Sequence, residues 1–229
     1  MSKKPNATPE QGDLDLGEVY TRTELFLDKH KKPITYGAIG LLVAVAAVLG
    51  YQKGIAEPRA KEAADLIWKA QYYFEIDSLD KALNGDDQYP GFLSIAEDFG
   101  STPSGELAHY YAGTIRMQKG EYEEAIRHFK EADLGDDVLR VMAVGNQGDA
   151  LVELGRADEA VKLFEKAAGM TKNEFTTPMY LMKAGVLHQQ AGNWKAAAKS
   201  FRRLADDFPL HSDASIARKY AGYAEAMGG

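Results

Sequence analysis

Three stretches of the chain repeat one pattern of apolar and small positions: GEYEEAIRHF (Gly120–Phe129), GRADEAVKLF (Gly155–Phe164) and GNWKAAAKSF (Gly192–Phe201). Their opening glycines are 35 and then 37 residues apart. In each stretch an Ala follows the Gly after five positions (Ala125, Ala160, Ala197), and a Phe follows that Ala after four. Another Gly stands seven positions before each stretch (Gly113, Gly148, Gly185). The spacing predicts a helix–turn–helix in each copy. The earlier Gly removes a side chain where two helices cross. The later one ends the first helix, because glycine accepts positive φ at a helix C-terminus. The Ala lets the second helix pack closely, and the Phe fills the space one turn on. One such pair cannot bury its apolar face alone, so the pairs are expected to stack into a solenoid.

Partial copies flank these three. Upstream, Ala70, Asp77 and Ala82 occupy the positions of the two glycines and the alanine. The turn-rich NGDDQYPG (Asn84–Gly91) then interrupts, and a short helix resumes before Pro103. Downstream, Gly222 and Gly229 match a first helix with no second one after it, which reads as a C-terminal cap. Pro209 closes the third full copy.

The N-terminal pattern is different. Ile34–Tyr51 reads ITYGAIGLLVAVAAVLGY, with no charge between Lys32 and Lys53. At the helical rise, its residues cover about 27 Å, enough for a bilayer core. Ile34, Leu41, Val45, Leu49 and Tyr51 spread around the helix, and an all-round apolar surface argues against a core helix. The segment before it is too long and too acidic (Asp13, Asp15, Glu18, Glu24, Asp28) for a cleaved signal peptide, so an uncleaved signal anchor is expected. Lys29, His30, Lys31 and Lys32 crowd its N-terminal edge, while Lys53, Arg59 and Lys61 beyond it are diluted by Glu57 and Glu62. Retention of positive charge inside predicts a cytoplasmic N-terminus and an external C-terminal part, which in a bacterium means the inner membrane and the periplasm. Residues 1–12 are polar and read as disordered. Residues 14–28 have helical spacing, as a short amphipathic helix or as an extension of the anchor. The expected organisation is therefore a leader (1–28), a transmembrane anchor (29–55) and an all-α repeat domain (56–229). Within that domain the first repeat is broken (56–104). Repeats follow at about 105–139, 140–176 and 177–211, and the cap at 212–229.

Composition narrows the chemistry. There is no cysteine, which removes disulfides, thiolate nucleophiles and iron–sulfur ligation. A net charge of −7 disfavours a phosphate-contacting nucleic-acid binder. The five histidines show no metal-binding spacing, and no nucleophile elbow, P-loop or dinucleotide fingerprint is present. No enzyme activity, cofactor, metal or small-molecule substrate is expected. The helical period instead predicts a concave groove lined by first helices. Its candidate residues are Trp68 and Phe74, then Tyr110, Tyr111 and Met117, then Met142 and Asn146, then Met179, Met182 and Lys183, with Tyr220 and Tyr223 from the cap. Methionine adapts to varied apolar partners, and tyrosine gives contact area with a polar tip. Such a surface suits a protein partner or an extended, partly unfolded polypeptide.

The Gly–Gly–Ala–Phe order at this period resembles the tetratricopeptide repeat. The family's frequent late Tyr is Arg116, Leu151 and His188 here. Some members grip a C-terminal carboxylate, but only Asn146 matches that clamp, with Lys183 where an Arg would stand and Tyr110, Thr114 and Met179 at the other places. No clamp is expected. With the anchor, the blocks WKAQYYF (Trp68–Phe74), DSLDKALNG (Asp77–Gly85), GFLSIA (Gly91–Ala96) and TPSGELAHYYAG (Thr102–Gly113) resemble the YfgM-like family of ancillary subunits of the bacterial Sec translocon. That resemblance implies a membrane-tethered interaction module at the export channel, with a membrane-anchored periplasmic chaperone or prolyl isomerase as partner. A structural scaffold of a cell-envelope or division complex is the alternative.

Overall fold

The turn inside each repeat, full or broken, is built by the same three elements: a positive-φ residue and two backbone hydrogen bonds. At Gly120 (φ 75°), Gly120 N donates to Met117 O at 3.1 Å and Glu121 N to Arg116 O at 2.9 Å. Gly155 and Gly192 (φ 72° and 71°) repeat the pair of bonds. This is the Schellman arrangement, which satisfies carbonyls left free at a helix end. Asp77 (φ 57°) is the one non-glycine among the described residues with positive φ. It makes the same pair, Asp77 N to Phe74 O at 3.0 Å and Ser78 N to Tyr73 O at 2.8 Å. The broken first repeat thus keeps the turn, with an Asp in the place of glycine.

The computed structural model describes residues 16–228, with side chains from Lys29 onward. The expectations for residues 1–15 lie outside that range. The chain divides after Ile55 into two compact units. The first contains α1 (Leu16–Tyr51), followed by a π-helical turn (Gln52–Ala56). The helical run from Lys29 to Glu75 contains a stretch of mean hydropathy 2.0, long and apolar enough to cross a membrane. Ile34, Leu41, Val45, Leu49 and Tyr51 are all exposed on it. Backbone 16–28 is continuous with this helix, so the second part of the leader is an extension of α1.

The second unit opens with α2 (Glu57–Glu75), which has Pro58 in its first turn. Pro58, which has no N–H to donate, stands where the π-helical turn gives way to α-helix. α3 (Leu79–Asn84) stops at Gly85 (φ 85°), and a bridge between Gly85 and Pro90 closes the loop before α4 (Phe92–Phe99). Three pairs follow: α5 (Pro103–Gln118) with α6 (Tyr122–Glu131), α7 (Asp137–Glu153) with α8 (Ala157–Met170), and α9 (Thr176–Gln190) with α10 (Trp194–Asp207). α11 (Ala214–Gly228) ends the array. Local chemistry starts these helices. The Thr102 hydroxyl accepts from Gly105 N at 3.1 Å, and Asp136 Oδ1 accepts from Val138 N and Leu139 N at 2.9 Å. From α5 onward each helix packs mainly on its neighbours in the chain, as in a solenoid.

The crossing glycines meet the phenylalanines of their own copies. A Cβ added at Gly113 would lie 2.8 Å from the Phe129 ring, at Gly148 2.6 Å from Phe164, and at Gly185 2.5 Å from Phe201. These rings and Ala125, Ala160 and Ala197 are buried. Gly222 has open space around it.

Candidate functional site

The first helices of the full copies, α5, α7 and α9, carry the expected groove residues from Tyr110 to Lys183. Met182 and Lys183 among them border an open pocket of about 300 Å³ between α7, α8 and α9. Val152, Met182, Val186 and Leu187 give it an apolar wall over the Phe164 ring, and Asp149 and Lys183 border it. Lys183 Nζ is 2.7 Å from both oxygens of Asp149, in a half-exposed ion pair. The same ammonium lies 5.4 Å from the centre of the Phe164 ring and 5.6 Å from that of Tyr180. Its charge is neutralised in place, so the pocket offers apolar contact and a fixed polar edge.

Beneath it, α7 and α9 meet at a contact that sequence reading missed. Tyr180 is 1% exposed, and its ring occupies the space a side chain on Gly145 would need. It stacks on Phe164 at 6.0 Å, and burial pushes its phenol well above the ordinary range, with nearby Asp149 adding to this. The available signal was Gly145 three positions before Gly148, a second small residue on the same helix face.

The other groove candidates divide by surroundings. Tyr110 is half-buried, 5.8 Å edge-on from Phe129. Burial raises its phenol pKa, and the side-chain hydrogen bond from Asn146 opposes that shift. Met117, Met142 and Met179 are half-buried. Tyr111 stacks on Phe92 with ring centres 4.7 Å apart and meets Phe74 at 5.1 Å, so Tyr111 and Phe74 pack against the core around α2–α5. Trp68 is separated from Phe74: it lies against Tyr89 of the α3–α4 loop at 5.8 Å, half exposed. Lys69 sits among the rings of Trp68, Tyr72, Tyr73 and Tyr89, 4.8–5.6 Å from their centres. A six-residue spacing turns Trp68 and Phe74 to different sides of α2, which the projection onto a single groove overlooked. Tyr220 and Tyr223 are partly exposed and lean on Phe201 and Trp194 of α10.

One further pairing was hidden by sequence distance. His109 of α5 and His128 of α6 are buried with their Nδ1 atoms 3.1 Å apart, and Glu131 Oε2 is 3.4 Å from His109 Nδ1. Burial, His109 and the nearby Arg127 and Arg116 push the His128 pKa down to about 4, against the pull of Glu131. Burial also lowers His109. Among the described residues, no group of three or more His, Asp or Glu side chains is arranged to hold a metal ion.

Comparison with curated proteins gave no match. Two stretches do match tetratricopeptide-repeat families: residues 112–174 and residues 180–211. The chain is all-α, and among its described residues one long apolar N-terminal helix is followed by ten helices in a tetratricopeptide-type repeat arrangement that is characteristic of protein–protein interaction.

Proposed function

We propose that the protein is a non-catalytic, single-pass inner-membrane interaction module, with its repeat domain in the periplasm, acting as an ancillary subunit at the Sec export channel. The observation that carries the binding role is the apolar pocket of about 300 Å³ beside Met182 and Lys183. It joins positions from two successive repeats and leaves no unpaired charge to repel an apolar segment. The export role rests on the resemblance of the first-repeat blocks to the YfgM-like family and on the apolar α1. A membrane-anchored periplasmic chaperone or prolyl isomerase, or an emerging polypeptide, would occupy the groove.

Affinity purification of the full chain from detergent-solubilised membranes tests this. Recovery of export-channel subunits with a periplasmic chaperone is expected. Recovery of envelope-assembly or division proteins alone would replace the export role with a scaffold. Orientation is tested separately by fusing a reporter active only in the cytoplasm after Gly229. An active fusion would reverse the topology.

A further inference from the structure

On the side formed by the second helices, a furrow runs between α6 and α8 across α7. Two pockets of about 360 and 380 Å³ lie along it and share Lys130 and Gln147. Its floor is apolar: Ile126, Phe129, Val144 and Leu151 are buried, and Leu163 and Met170 half-buried. Its border is cationic. Lys130, Arg140, Arg156, Lys162 and Lys166 line the two pockets, against Asp133 and Glu159 as the acidic residues there. Arg156 and Glu159 neutralise each other through two 2.7 Å hydrogen bonds.

The remaining cations are less fully used. Lys130, Lys162 and Lys166 are exposed and make no ion pair with the described residues, whereas Arg116, Lys119, Arg127, Lys183 and Arg202 each have a carboxylate partner. Arg140 pairs with Asp137 through Nη2. The lining thus carries five cations against two carboxylates, on a chain whose net charge is −7.

We infer that the α6–α8 furrow is a second docking surface, whose occupant is an acidic, amphipathic segment of a protein partner. Charge decides the sign of the partner: carboxylates find free ammonium groups at this border and meet a repulsive field over the chain as a whole. The buried floor decides its class. Two hollows of mixed lining, one holding Ile126, Leu151 and Leu163 and the other Phe129, Val144 and Met170, take side chains spaced along a peptide, whereas a bilayer surface would need a flat or projecting face. The surface is distinct from the concave pocket, so both can be engaged at once.

The test uses the full chain in neutral-lipid nanodiscs. The probe is a fluorescein-labelled peptide of repeated Leu-Glu-Glu-Ala, compared with the same peptide carrying Gln for every Glu. Fluorescence anisotropy should show binding of the acidic peptide that weakens as salt rises, and little binding of the Gln form. Charge reversal at Lys130, Lys162 and Lys166 together should reduce affinity at least about tenfold, and Lys130→Ala alone should reduce it measurably, because both pockets share that side chain. Lys199→Glu on α10 should leave it unchanged. The thermal unfolding curves of all variants establish that they are folded. The inference is overturned by absent binding at about 1 mM peptide, by equal affinity for the Gln form, or by unchanged affinity in the reversed variant. Displacement of the peptide by an equal concentration of short-chain phosphatidylglycerol would also overturn it, by making the site one for anionic headgroups.

Discussion

Glycine takes three roles in this chain, and the roles separate in a stability measurement. At Gly155 nothing lies within 4 Å of a Cβ, but φ is 72°, so the constraint is conformational. Gly155→Ala should cost about 1 kcal/mol from left-handed strain alone. At Gly148 the constraint is steric, since Phe164 occupies the space. Gly148→Leu should cost about 3 kcal/mol or more, or prevent cooperative folding. Gly222 sits within α11 with neither constraint, so Gly222→Ala should stabilise by about 0.8–1 kcal/mol through helix propensity. Chemical denaturation of the three variants measures this directly, and equal effects would contradict the assignment of roles. The crossing glycines and turn glycines were legible in the sequence because their spacing recurs three times. Gly145 and its partner Tyr180 occur once, so no repetition marked them. Asp77 was legible only by alignment with the glycines, and its positive φ gives that alignment a physical basis.

At the scale of helices, two neighbouring contacts have separate tests. His128 is buried against His109 between α5 and α6, with Glu131, Arg127 and Arg116 around the pair. Its folded pKa of about 4 lies below the ordinary 6.5, so the unfolded chain binds the proton more tightly. The stability it contributes is complete above pH 6.5 and is lost as pH falls through that window toward 4. Denaturant midpoints should therefore drop across it, and His128→Gln should flatten the drop; equal slopes would contradict the burial argument. The second contact concerns the groove. Tyr111, stacked on Phe92 and against Phe74, should cost about 2–5 kcal/mol when changed to Ser, as a core truncation does. Met182, half-buried at the edge of the pocket, should cost less, about 1–2 kcal/mol. Helical projection placed both residues on one surface, because it gives the direction of a side chain from its own axis. It does not show which neighbouring helix covers that side chain. The split of the first repeat into α3 and α4 brings Phe92 onto Tyr111, and no periodicity announces that.

At the scale of the molecule, repetition decides where binding can occur. In the three full copies each second helix locks onto its own first helix through a Gly–Phe contact, which leaves two surfaces. One holds the apolar pocket between α7, α8 and α9; the other holds the basic furrow between α6 and α8 across α7. On α11, Gly222 faces open space and the neighbouring Ser215, Arg218 and Lys219 are exposed. The central claim is that the pocket between α7, α8 and α9 receives the partner. The most direct measurement is photo-crosslinking in intact cells with the photoreactive residue at position 182, compared with position 206 on the exposed end of α10. The account predicts discrete crosslinked partners from position 182, few from position 206, and loss of the 182 products when Val186 is changed to Glu in the same chain. Equal products from both positions, or products from 182 that survive Val186→Glu, would contradict it.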